Sequence, residues 1–206
     1  MPAILDQIIR LKSMADTGLL YANNEFDRER YTELLEISID LMSRVSGNTT
    51  TDLTAMFAPV TDYPTVKTDV RALVLSPDKK QLLMARESVD GKWSLPGGWA
   101  DVGFTPREVA VKEVKEETGL DVVPKALLAV FDKRMHPHPP QPYYIYKLVI
   151  LCEATSTELA NGFDMLDAQY FDINNLPELS TDRILKSQID LVYQKTINND
   201  FEAYFD

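Results

Sequence analysis

Three acidic residues, Glu113, Glu116 and Glu117, stand at i, i+3 and i+4, a spacing that puts their carboxylates on one side of a helix. They belong to the segment 97–120, GGWADVGFTPREVAVKEVKEETGL, and its own residues mark the ends of that helix. Thr105 is an N-cap, Pro106 suits the first helical position, and Glu108 completes a capping box. Gly119 fits the left-handed position that closes a helix, and Val109, Ala110 and Val114 form the apolar stripe. Like charges on one stripe repel by roughly a few tenths of a kcal/mol per pair, and the helix dipole disfavours anions in the last turns. Helix stability alone does not select this arrangement. A hard divalent cation does, because Mg²⁺ takes oxygen ligands and bridges carboxylates to phosphates. The pair Gly97-Gly98 lets backbone approach such a metal or phosphate closely. The competing account is a solvated, Glu-rich helix face.

The whole pattern, Gly98 followed by Lys112-Glu113-Val114, Glu116-Glu117 and Gly119-Leu120, resembles the Nudix box, G-x5-E-x7-R-E-U-x-E-E-x-G-U, where U is a bulky aliphatic. Two positions depart from it. Phe104 replaces the first Glu and Lys112 replaces the Arg, and an ammonium lacks the two-pronged guanidinium contact with a carboxylate. One subgroup of the family, with a helical N-terminal extension, also has an apolar residue at the Phe104 position. It includes CDP-choline and ADP-ribose pyrophosphatases.

This resemblance implies an α/β fold, the Nudix α/β/α sandwich with a mixed sheet, preceded here by a small helical domain. It implies divalent-metal-dependent hydrolysis of the pyrophosphate bond of a nucleoside diphosphate linked to a group X. CDP-choline, giving CMP and phosphocholine, is the first substrate expected, and ADP-ribose the alternative. Carried over by position, Glu113 and Glu117 are metal ligands, Glu116 is a third ligand or a water-orienting base, and the Gly97 carbonyl is a further oxygen donor. Gly98, Lys112 and Gly119 support the motif. Mg²⁺ is the expected ion, with Mn²⁺ as its substitute.

Composition sets the frame for these residues. The chain has 206 residues and a formal net charge of −11, which argues against nonspecific nucleic-acid binding. Metal ions can still bring a polyphosphate to an acidic protein. Cys152 is the only cysteine, reads as a small buried strand residue, and fits a reducing, cytoplasmic setting. No stretch is apolar and long enough to span a membrane, and the N-terminus does not read as a signal peptide.

Apolar residues at helical spacing predict a helical domain over 1–58: a first helix ending near Gly18, a second capped by Asp27 and stopped at Gly47, and a third capped by Asp52. Its apolar faces need cover, so a homodimer through these helices is expected. A Pro-containing linker follows at 59–67, then the hydrolase domain at 68–206. Strands are expected at 70–75, 81–86, 120–123, 125–131, 143–153 and 170–173, with a last helix from Asp182.

Outside the box, the general base has four candidates by location alone, Glu153, Glu158, Asp164 and Asp167. The stiff segment RMHPHPPQPY, 134–143, carries both histidines. Arg86, Arg134, His136, His138 and Tyr143 are the substrate-binding candidates, set against a reading of 134–143 as a rigid surface loop. Trp93 and Trp99 read as packing residues. Two other readings remain: a non-catalytic nucleotide sensor, supported by Phe104 and Lys112, and an enzyme that removes damaged nucleoside triphosphates.

Overall fold

The computed structural model describes residues 4–57, 61–162 and 165–206. The chain forms two compact units, 1–66 with 140–144, and 67–139 with 145–206.

The first unit holds α1 (Ile4–Tyr21), α2 (Glu25–Ser46) and α3 (Thr50–Met56). Their apolar stripes meet in a core of Leu5, Ile8, Ile9, Ile39, Met42 and Leu53. Caps fall earlier than the sequence suggested. Asn24, not Asp27, caps α2 by accepting from the Asp27 N–H at 2.8 Å. Thr49, not Asp52, caps α3, with Asp52 three residues in. Helix α1 runs through Gly18 because a Cβ there would sit 2.4 Å from the Tyr31 ring, so the glycine admits α2 rather than ending α1. Tyr143 and Tyr144 join this unit: Tyr144 donates to the Asp6 carbonyl at 2.7 Å, and Tyr143 meets Phe57 edge-on.

The second unit contains β1 (Lys67–Val74), β2 (Gln81–Glu87), β3 (Trp93–Ser94), β4 (Gly97–Trp99), α4 (Pro106–Thr118), β5 (Val122–Asp132), β6 (Ile145–Ala154), β7 (Met165–Asp172), α5 (Lys186–Ile197) and β8 (Tyr204–Phe205). A mixed five-stranded sheet runs β4-β1-β6-β5-β8, and a three-stranded antiparallel sheet runs β3-β2-β7. Alternation along β1 sends Val70, Ala72 and Val74 to a core with Val109, Ala110 and Val114 of α4. Leu73 faces the other way, into a core with Leu82, Met84, Phe131 and, from α5, Ile189 and Val192.

The two strands expected at 120–131 are one strand, β5, with register shifts near Pro124 and Leu127. β6 starts at Ile145, later than expected, and β7 starts at Met165, earlier than expected. Asp182 lies in a turn, and α5 begins at Lys186 with Gln188 closing back on the Leu185 N–H. β8 had no sequence signal, since two residues pair with β5 only in the folded chain. No helix among the described residues is long and apolar enough to cross a membrane.

Candidate active site

Helix α4 forms as its sequence dictates. Thr105 accepts from the Glu108 N–H, Glu108 accepts back from the Thr105 N–H at 2.8 Å, and Gly119 closes the helix at φ 76°. The last carbonyls are also satisfied: Ala160 donates to Thr118 O at 2.9 Å and Gly162 to Glu117 O at 3.1 Å. The segment 160–162 is thereby seated on the helix end.

Helix geometry then sorts the three glutamates. Glu113 and Glu117 differ by about 40° around the axis, while Glu116 lies roughly 100° from Glu117. Glu117 turns inward, 6% exposed, and accepts from the Gly97 N–H at 3.0 Å. Burial drives its pKa up to about 8, against the opposing pull of Arg71 and of the Gly97 hydrogen bond. Glu113 is half-buried and packs on Gly98, where a Cβ would stand 2.9 Å from its Oε2. Its pKa is also raised by burial, with Lys112 opposing. Glu116 is exposed and tied to Lys112, Nζ to Oε2 3.0 Å.

Strand β4 supplies the other side. Gly97 and Gly98 pair with Arg71 and Val70 of β1. Gly97 holds φ 146°, and a Cβ there would come within 2.0 Å of Val70 O, so only glycine fits. The result is two buried or half-buried carboxylates, oxygen donors without full cationic compensation, beside glycine backbone that leaves them room. That donor set suits a hard divalent cation. Among the described residues no three His, Cys, Asp or Glu side chains form a metal-holding group. Glu113 and Glu117 converge on β4, and Glu116 stands apart.

Lys112 also lies 3.5 Å from Asp101 and 3.6 Å from Glu113. Asp101, three residues before Phe104, therefore gives Lys112 a carboxylate partner in the loop where the motif has its first Glu. Phe104 itself is about half exposed.

The remaining candidates are placed as follows. Arg86 Nε donates to the Gly91 carbonyl at 2.8 Å, bracing a turn. Arg134 clasps Asp132. His136 Nε2 meets Asp206 at 3.0 Å, and His138 Nδ1 meets the Thr181 carbonyl at 2.6 Å. Tyr143 belongs to the helical unit. Glu153 pairs with Lys125, Glu158 is exposed, Asp167 accepts from the Ala168 N–H, and Asp164 lies outside the described residues. Trp93 packs on Phe171 as expected, but Trp99 is about half exposed under the Lys67 ammonium. Cys152 is buried, which pushes its thiol up to about 12.

Sequence reasoning missed a buried charge network. Arg71 donates to Asp69 at 3.0 Å and to the Leu95 carbonyl at 3.1 Å. Lys147 of β6 bonds the other Asp69 oxygen, and Glu87 stands between Arg71 (3.9 Å) and Arg183 (2.8 Å). Burial alone would raise the Asp69 pKa, but Arg71 and Lys147 outweigh it and hold it down to about 2. The signal was present: Asp69 and Arg71 share the face of Leu73 at period two, and Lys147 interrupts an apolar run.

The chain matches two family models, "UDP-X-like, N-terminal oligomerisation domain" over residues 2–57 and "NUDIX domain" over 66–191. It is 38% identical to a Bacillus subtilis (strain 168) protein named "Putative ADP-ribose pyrophosphatase YjhB", across 98% of this chain and 96% of that one. A crystal structure of a UDP-X diphosphatase superposes with a TM-score of 0.64 at 31% identity, covering 98% and 97% of the two chains. That of an ADP-ribose pyrophosphatase from Streptococcus suis 89-1591 superposes at 0.62 and 34% identity, covering 69% of this chain and all of the other. The glycine strand and glutamate helix lie inside the second matched segment and helices α1, α2 and α3 inside the first, and the chain belongs to the Nudix hydrolase family.

Proposed function

We propose that this enzyme hydrolyses the pyrophosphate bond of a nucleoside diphosphate linked to a group X, releasing a nucleoside monophosphate and phospho-X. The observation that carries the reading is the convergence of Glu113 and Glu117 on Gly97-Gly98. Glu113, Glu117 and the Gly97 carbonyl would hold Mg²⁺, or Mn²⁺ in its place. Bound there, the ion supplies charge neutralisation on the phosphates and a polarised water. The protein supplies the rest. The Gly97 N–H fixes the Glu117 carboxylate, the missing side chain at Gly98 leaves Glu113 its place, and Lys112 restrains Glu116 at the exposed rim. Glu116, released from Lys112, is the nearest box carboxylate free to orient water.

For X, our first reading is ADP-ribose, supported by the likeness to proteins named as ADP-ribose pyrophosphatases. CDP-choline is the second reading, favoured by the helical extension at 4–56. Incubating purified protein with each and Mg²⁺, followed by phosphorus NMR, tests the proposal. AMP with ribose 5-phosphate, or CMP with phosphocholine, is the expected product pair. Folded protein that turns over no nucleoside diphosphate, yet gains thermal stability from one, would be a sensor instead.

We also propose a homodimer through the first unit, in line with its matched oligomerisation model. Ile4, Leu11, Met14 and Tyr21 of α1 and Ile37, Leu41 and Val45 of α2 are exposed apolar residues at helical spacing.

A further inference from the structure

The charge network leaves two groups unused. Lys133 follows the end of β5, is 6% exposed, and makes no hydrogen bond or ion pair with its side chain among the described residues. Its stem is buried, but its Nζ is not among the buried atoms left without a partner, so the ammonium keeps an open side for an anionic oxygen. His138 is the second. Its Nδ1 donates to the Thr181 carbonyl at 2.6 Å, which leaves Nε2 as a bare acceptor, and that atom is buried without a partner. Burial also holds the His138 pKa down to about 4, keeping the ring neutral.

These groups are part of one constellation. Lys147 pairs across the sheet with both Phe131 of β5 and Asp69 of β1. Thr181, which His138 binds, is two residues from Arg183, which holds Glu87. Lys133 feels the fields of Lys147, Asp182, Asp69 and Arg71, and His138 those of Lys133 and Lys147. Four cations, Arg71, Lys133, Lys147 and Arg183, thus face the buried acids Asp69 and Glu87 and the exposed Asp182, in a chain of net charge −11. By register Val130 of β5 stands level with Gly98, three strand spacings or about 14 Å across the sheet, and Lys133 follows three residues further along. A pyrophosphate held at β4 does not reach that far, whereas the far side of a sugar attached to it does.

We infer that Lys133 and His138 form a subsite for an acidic sugar as the X group, Lys133 binding its carboxylate or phosphate and His138 Nε2 accepting from a hydroxyl. The inference rests on the hydrolase reading above. A quaternary ammonium X such as choline finds repulsion there, because such cations need aromatic faces or anions. ADP-ribose is accepted without filling the anionic position.

UDP-glucuronate and UDP-glucose differ only by a carboxylate at the far side of the sugar. Calorimetric titration of the full chain in EDTA reads their binding without turnover. The expected result is at least tenfold tighter binding of UDP-glucuronate, reduced to within twofold by Lys133→Met and retained by Lys133→Arg. Equal affinities in the wild type, or an equal loss for both sugars in Lys133→Met, would overturn the subsite. The wild-type comparison decides even if a variant does not fold. Adding Mg²⁺ separates the two claims: a binding preference with no hydrolysis of either sugar nucleotide sinks the hydrolase reading and keeps the subsite. Hydrolysis without any preference does the reverse.

Discussion

Gly97 and Gly98 are neighbours in sequence, and alanine at each should have opposite consequences. At Gly97 a Cβ would lie 2.0 Å from Val70 O and 2.8 Å from Arg71 Cα, both backbone, at a φ of 146°. The clash cannot be relieved by a side chain, so β4 must separate from β1. The unfavourable φ costs about 1–3 kcal/mol. Each lost ladder or Glu117 hydrogen bond adds about 1 kcal/mol. A total of at least about 3 kcal/mol follows, or a fall in Tm of about 6–12 °C for a domain of this size. At Gly98 the same Cβ meets the Glu113 carboxylate at 2.9 Å, the far end of a flexible side chain. A rotamer shift of Glu113 relieves it for about 1 kcal/mol, or about 2–4 °C. Gly98→Ala therefore keeps its fold but loses at least about tenfold in Mg²⁺ affinity, because a ligand has been moved. Thermal unfolding with and without Mg²⁺, with titration of the metal, reads both effects. The reasoning fails if Gly98→Ala binds Mg²⁺ as wild type does, or if Gly97→Ala melts within 2 °C of it.

Glu117→Gln keeps the Gly97 hydrogen bond through its amide oxygen, so we expect normal melting and a loss of metal-dependent turnover of at least about a thousandfold; a near-normal rate would show that Glu117 is not a ligand. Asp69, held at about 2 against an ordinary 3.8, contributes stability above pH 3.8 that is lost as pH falls through 2. At about 1.4 kcal/mol per unit this amounts to roughly 2 kcal/mol. Urea unfolding from pH 6 to 2 should show that arm in the wild type and lack it in Asp69→Asn, which should also be about 3–5 kcal/mol less stable at pH 7, with Lys147 left without its carboxylate and Arg71 without its nearer one. For the first unit, Met14→Asp combined with Ile37→Asp should give a monomer by sedimentation. A wild-type monomer at micromolar concentration would exclude the dimer.

Helix α4 could be read residue by residue because everything that defines it is local. The capping box, the Pro at its start, the glycine at its end and the apolar stripe all lie within the helix or one residue of it, and each is where the sequence put it. Helix caps read from acidic residues alone fell short in α2 and α3, where Asn24 and Thr49 took the role and the acids sat three residues in. Charged residues in the 134–143 segment looked available to substrate, yet Arg134 and His136 are committed to Asp132 and Asp206. The Arg134 partner is local, two residues back, whereas the His136 partner depends on where the chain's last residues return.

By itself the sequence determined a glutamate-bearing helix behind a glycine pair, a helical region before a strand-rich one, and an acidic chain with a single thiol. These follow from spacing along the chain and from local steric and capping preferences. Tertiary structure alone decided which glutamate is buried, since that depends on where β4 lies against the helix. It also decided that Asp69, Arg71, Lys147, Glu87 and Arg183 form one network, since β1, β2, β6 and the segment before α5 meet only after the two sheets assemble. Strand pairing brings together residues up to about a hundred positions apart, and no local pattern encodes which of their charges will be buried side by side.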